Sequence, residues 1–258
     1  MDLKLTNKVA IVLAASKGLG RAIATTLSAE GAKVIICSRD EKELNQTAQE
    51  IQKLTGNEVV AIPVDVTNAE QMGQFMVKAA TALGRIDILV NNAGGPPFDK
   101  FENFDEADWQ KAFELNLLSF ARASRLALPH LQKSNGGRII NLISISVKSV
   151  LAGSVLSTTM RMGVIGLAKM LSDEFAPYNI TVNNVAPGTM LTERITKTVP
   201  KGVDAEENLK QRAKNIPLGR IGKPEELAAT VAFLASEHAA YITGATIPVD
   251  GGASRAIY

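Results

Sequence analysis

Three residues in the second half of this 258-residue chain carry side chains suited to act on a polar bond. Ser157 and Arg161 lie four apart in VLSTTMRMGVIGLAKMLSDE, a run with the apolar spacing of a helix, so both project from one face. Ser144 closes GRIINLIS, whose continuous apolar character is that of a buried strand, and the end of that strand lies within reach of the helix face. A hydroxyl can donate or accept a hydrogen bond, and a guanidinium offers a planar, permanently charged fork of donors. Together they can bind hydroxyls or polarise a carbonyl electrostatically, but an arginine cannot pass a proton.

The elements that must position these groups begin with residues 8–14, KVAIVLA, a β-branched apolar run of the kind buried on both faces of a parallel sheet. A glycine-bearing turn follows. Gly18 and Gly20 open a helix with Leu19, Ile23 and Leu27 at helical spacing, Gly31 ends it, and KVIIC at 33–37 forms a second strand. Glycines at such a junction permit a tight turn and let backbone N–H groups approach a pyrophosphate at the helix N-terminus, although glycines that only shape the turn give the same local pattern. The second strand ends in Cys37, Ser38 and Arg39, and Lys17 sits in the glycine turn. Two cations and a hydroxyl, in place of the carboxylate that binds a ribose 2′-hydroxyl, favour NADP(H) over NAD(H). The bland alternative is that Arg39 and Lys17 are merely solvated and that Asp40 with Glu43 is a capping box for a helix running to about residue 54, and the two readings can hold together.

A third strand, 58–64, delivers Asp65, Val66 and Thr67. After a helix through 82 and a stop at Gly84, a fourth, 86–90, ends in Asn91, Asn92, Ala93 and Gly94. This rhythm predicts an α/β fold, a single-domain Rossmann-like doubly wound parallel sheet with helices on both faces, and a ligand beyond the carboxyl ends of its strands. Residues 105–131 read as one long helix, capped by Asp105 and slowed by Pro129; Asn116, set among leucines, requires a hydrogen-bond partner. Strand 180–185 leads into Pro187 and Gly188. The polar stretch 189–216, with a short helix at about 205–214, is expected to be a substrate lid. Its Lys197, Lys201, Lys210, Arg212 and Lys214 could attract an anion, but Glu206 and Glu207 favour a solvated helix face. A helix near Pro224 and a strand at 245–249 complete the chain.

A net charge of +2 without a basic cluster argues against a nucleic-acid partner, and no apolar run is long enough to span a membrane. The lone Cys37 excludes an internal disulfide and suits a reducing cytoplasm, and His130 and His238 lack the spacing of metal ligands, so no metal site is expected.

From 5 to 252 the chain resembles the short-chain dehydrogenase/reductase family. LAASKGLG at 13–20, containing Ser16 and Leu19, matches its glycine-rich signature, with Ala14 where the first glycine usually stands; NNAG at 91–94 matches a second motif. The resemblance implies that Asp65 holds the adenine ring, that Asn92, Ala93 and Gly94 border the cofactor, and that Thr192, four residues after Gly188, contacts the nicotinamide carboxamide. It also implies that Asn116 kinks its helix and holds a proton-relay water, that Ser144 hydrogen-bonds a substrate carbonyl, and that the chain forms a homotetramer acting on a small-molecule carbonyl or alcohol such as a 3-oxoacyl compound. Where the family has a tyrosine acid and a ribose-binding lysine, this chain has Ser157 and Arg161; its tyrosines, Tyr178, Tyr241 and Tyr258, fall elsewhere. Three readings follow: a reductase in which Arg161 stabilises an oxyanion, an NADP(H)-binding protein without turnover, or a non-redox catalyst on the same scaffold.

Overall fold

A computed structural model describes residues 1–197 and 203–257; Lys201, Tyr258 and the side chain of Lys197, all named above, lie outside the described residues. Strands that are apolar on both faces must be buried between two helical layers, and the chain arranges them so. Seven parallel strands, β1 (Val9–Val12), β2 (Lys33–Ile36), β3 (Val59–Ala61), β4 (Ile88–Asn91), β5 (Arg138–Leu142), β6 (Thr181–Pro187) and β7 (Thr246–Val249), form one sheet in the order β3-β2-β1-β4-β5-β6-β7. The helices are α1 (Gly18–Ala29), α2 (Glu41–Thr55), α3 (Ala69–Leu83), α4 (Glu106–Phe113), α5 (Ser119–Lys133), α6 (Val155–Glu174), α7 (Glu193–Lys197), α8 (Ala205–Lys214) and α9 (Pro224–Ala235). Alternation along β1 divides the core. Ala10 and Val12 pack with Leu27 of α1 and Leu227 of α9, while Val9 and Ile11 pack with Phe75 of α3 and Leu131 of α5.

The expected architecture is the observed one, with strand 58–64 shortened to the three residues of β3 at the sheet edge. The helix expected over 105–131 is interrupted. Asp105 caps it, accepting from the Asp108 N–H at 2.9 Å, but Glu114–Leu118 form a wider π-helical turn between α4 and α5. Pro129 lies inside α5 without ending it.

Polar side chains cross the sheet in register. Asn91 Nδ2 donates to Asn141 Oδ1 at 2.8 Å, Asn141 Nδ2 to Asn184 Oδ1 at 3.0 Å, and Asn184 Nδ2 to Thr246 Oγ1 at 3.1 Å, linking β4, β5, β6 and β7. Buried amides must find partners, so this row penalises any register slip. The chain order reverses between β1 and β4, and a crevice opens at their carboxyl ends. Among the described residues no helix is long and apolar enough to cross a membrane, and no cluster of metal-ligating side chains occurs.

Candidate active site

The crevice is a cleft of about 1830 Å³ along the carboxyl ends of the strands. A small-molecule pocket takes roughly 300–1,000 Å³, so this one has room for an extended dinucleotide and a second molecule. At one end β1 turns into α1. Gly18 has φ +57°, and Ala14, at φ +48°, is left-handed without being glycine, a conformation that costs a residue with a Cβ about 1–2 kcal/mol. Asn92 Nδ2 donates to both Leu13 O and Ala14 O at 3.1 Å, holding this turn to the end of β4. The first turn of α1 carries no acidic residue, which leaves the positive end of its dipole open to an anion.

The residues expected around a 2′-phosphate are gathered there, with one correction. Asp40 caps α2 by accepting the Glu43 N–H at 2.9 Å, but the Glu43 carboxylate does not complete a capping box. It turns across the cleft instead, accepting from Ser16 Oγ at 2.8 Å and Lys17 Nζ at 3.0 Å. Those bonds from Ser16 and Lys17 hold Glu43 below the usual carboxylate range, and the bond to Glu43 holds Lys17 above the usual lysine range. Ser38 Oγ donates to Asp40 O at 3.2 Å, and Arg39 is exposed at the end of β2. Asp65 turns inward on its own loop, accepting from the Thr67 N–H and Thr67 Oγ1, with Val66 buried beside it.

At the other end stand the groups suited to chemistry. Arg161, only 6% exposed, donates from Nε to Ser157 Oγ at 3.2 Å and from Nη1 to Leu142 O at 2.7 Å. Among the described residues no carboxylate pairs with it. Burial pushes its guanidinium down to about 10, with the neighbouring charge of Arg194 adding to the shift, so it remains protonated at neutral pH. Ser144 Oγ accepts from the Ser146 N–H at 3.2 Å and lines the same cleft.

Asn116 stands one layer back. Its Nδ2 donates to Gly94 O at 2.8 Å, while Oδ1 is buried without a protein partner. Such an oxygen is a site for ordered water, and the π-helical turn is what swings the side chain off the regular helix face. Pro187 and Gly188 end β6, and Thr192 lies over the glycine turn, its methyl 3.8 Å from where a Cβ on Gly18 would be.

Thus Ser144, Ser157 and Arg161 share one cleft with Ala14, Gly18, Leu19, Gly20, Ala93 and the residues near α2. Tyr178 and Tyr241 are exposed on other surfaces. Sequence reasoning missed Arg194. It sits among other cations in the polar stretch 189–216, and no spacing links it to Gly95, Pro96 and Phe98, which hold it in the folded chain.

Residues 13–254 match the family described as Enoyl-(Acyl carrier protein) reductase. The chain is 36% identical to the 3-oxoacyl-[acyl-carrier-protein] reductase FabG of Aquifex aeolicus over 253 residues, covering 98% of this chain and 99% of that protein. It is 38% identical to the corresponding reductase of Vibrio cholerae, over 97% and 98% of the two chains. Among solved structures, L-sorbose reductase from Gluconobacter frateurii, complexed with NADPH and L-sorbose, superposes with a TM-score of 0.96 at 31% identity over the whole of both chains.

Proposed function

The chain belongs to the short-chain dehydrogenase/reductase family, and from that premise we propose that it is an NADP(H)-dependent oxidoreductase interconverting a small-molecule carbonyl and its alcohol, 3-oxoacyl-reductase-like, with an atypical active site. The observation that carries this reading is the buried guanidinium of Arg161, unopposed by a carboxylate among the described residues and joined to Ser157, in the same cleft as the glycine turn. That turn, the acid-free start of α1 and the size of the cleft fit a dinucleotide. Lys17, Ser38 and Arg39 would receive a 2′-phosphate, Asp65 and Val66 would border the adenine, and Asn92, Ala93, Gly94, Pro187, Gly188 and Thr192 would border the nicotinamide half.

NADP(H), when bound, supplies or takes up the hydride. Arg161 then stabilises negative charge developing on the carbonyl oxygen, Ser144 and Ser157 orient that oxygen, and the buried Oδ1 of Asn116 holds a water that relays the proton. Of the expected lid, α7 and α8 lie among the described residues and act on the substrate side, and the exposed Met162 and Met170 of α6 contribute to a homotetramer interface. A second reading, NADP(H) binding without turnover, is favoured by one observation: on this helix face Ser157 is a very weak acid, and Arg161 already donates to Ser157 Oγ and Leu142 O.

The two readings separate in one experiment. The purified protein is titrated with NADPH and NADH and then offered a panel of carbonyls and alcohols. NADP(H) turnover on the panel supports the oxidoreductase; tight NADPH binding with no turnover supports the second reading. The 2′-phosphate contact has its own check. Because Glu43 both repels a phosphate and occupies Lys17, Glu43→Gln is expected to increase the preference for NADPH over NADH by about tenfold in fluorescence titrations. An unchanged preference would remove Lys17 from that role.

A further inference from the structure

Arg21, Arg85, Arg122 and Arg220 each meet a carboxylate. Arg161 and Arg194 do not, among the described residues, nor do the exposed Arg39 and the buried Arg138; Arg161 and Arg194 both line the cleft, whereas Arg138 lies outside it and donates to the main-chain oxygens of Gly136 and Gly137. Arg194 is not loose at the rim. Its Nη2 donates to Pro96 O at 3.3 Å, and its guanidinium lies 5.8 Å from the centroid of the Phe98 ring. A Cβ on Gly95 would be 2.5 Å from one of its Nη atoms and 2.8 Å from Cζ, so the guanidinium packs directly against the Gly95 main chain. Although the residue as a whole is exposed, this packing partly desolvates the charge and lowers its pKa.

Among the described residues the cleft-lining Glu114 does not answer either charge, being turned to Arg122 Nη2 at 3.4 Å. Two partly or wholly desolvated cations lining one cleft favour an anion between or beside them. A planar guanidinium fork matches a carboxylate, and the ring of Phe98 beside it, with Leu115, Leu151 and Met190 elsewhere in the cleft lining, suits a short hydrocarbon chain.

Resting on the oxidoreductase reading above, we infer that the substrate is an oxo acid, or the corresponding hydroxy acid, whose carboxylate is bound by Arg194 beside the carbonyl that Arg161 faces. Arg194 is then a specificity-determining residue. Neutral sugars and esters lack the group this pair is arranged to receive.

The test is calorimetric, on protein saturated with NADP⁺, which cannot reduce a ketone. Pyruvate, acetoacetate, ketoisocaproate and levulinate are each compared with the methyl ester, in wild type and in Arg194→Met, a rim substitution that leaves the buried core intact. In wild type at least one acid is expected to bind about tenfold or more tightly than its ester, as a charge-assisted pair provides. In Arg194→Met that preference is expected to fall to within about twofold, while NADP⁺ affinity stays at the wild-type value. Equal binding of acid and ester, no binding by any acid, a preference that survives Arg194→Met, or a loss of NADP⁺ affinity in that variant would each overturn the inference. Failure of the protein to bind NADP⁺ at all would instead sink the oxidoreductase reading, and the acid–ester comparison on the free protein would still decide the anion site.

Discussion

Replacing Arg161 by alanine is expected to lower kcat/KM for the best carbonyl substrate by about 10²–10³, most of it in kcat, as for the loss of one preorganised donor to a developing oxyanion. The physical basis is the position of the guanidinium. It is buried, held at Nε by Ser157 and at Nη1 by Leu142 O, and therefore pays no reorganisation when charge develops beside it. NADPH affinity should change far less, because the glycine turn and α1 lie at the other end of the cleft. The converse variant sharpens the result. Ser157→Tyr with Arg161→Lys introduces a side-chain acid and is expected to raise carbonyl reduction by about 10²-fold over Arg161→Ala, the usual contribution of general acid catalysis. Steady-state kinetics on the same substrate panel measures both. Wild-type turnover in Arg161→Ala, or a double variant that binds NADPH yet stays inert, would show that this helix face does not address the reacting carbonyl.

The second large effect is structural. Gly20→Ala should destabilise the protein by about 1–3 kcal/mol and weaken NADPH binding with it, since overpacking at a rigid contact forces backbone to move. The added Cβ would lie 2.5 Å from Ala14 O and 2.8 Å from both Ala15 Cα and Asn92 Nδ2. The first two of these atoms are main chain and cannot rotate away, so α1 must lift from β1 or the turn at Ala14 must open. That turn already holds Ala14 at a positive φ and has little room to absorb more strain. Gly73→Ala in α3 is the control: a Cβ there meets nothing within 4 Å, and alanine in a helix is favoured over glycine by about 0.8–1 kcal/mol. Thermal unfolding should therefore move in opposite directions for the two variants. A Gly20→Ala protein with wild-type Tm and NADPH affinity would contradict the close packing of α1 on the turn.

Much of the scaffold was legible because its signals are local. Apolar runs of strand length separated by amphipathic helices leave only a doubly wound sheet, and a spacing of four puts Ser157 and Arg161 on one face whatever the rest of the chain does. The capping box read at Asp40 and Glu43 was half right. Backbone geometry makes Asp40 a cap, but a carboxylate three residues later is free to choose, and Ser16 with Lys17 offers it a stronger partnership than the helix end does. Asn116 was recognisable as a misfit among leucines, yet only the π-helical turn decides that its Nδ2 meets Gly94 O and its Oδ1 meets no protein donor.

By itself, then, the sequence determined the order of strands and helices, the glycine turn at the start of α1, and the placing of Ser157 and Arg161 on one helix face. The tertiary structure decided which charges are answered. Glu43 neutralises Lys17 across 26 residues, whereas Arg194 reaches Pro96 across 98 and finds no carboxylate there, nor does Arg161 in the same cleft, among the described residues. Such pairings depend on how much water the folded chain removes around each group and on which distant loops close over it, and neither quantity is carried by residue type or by spacing along the chain.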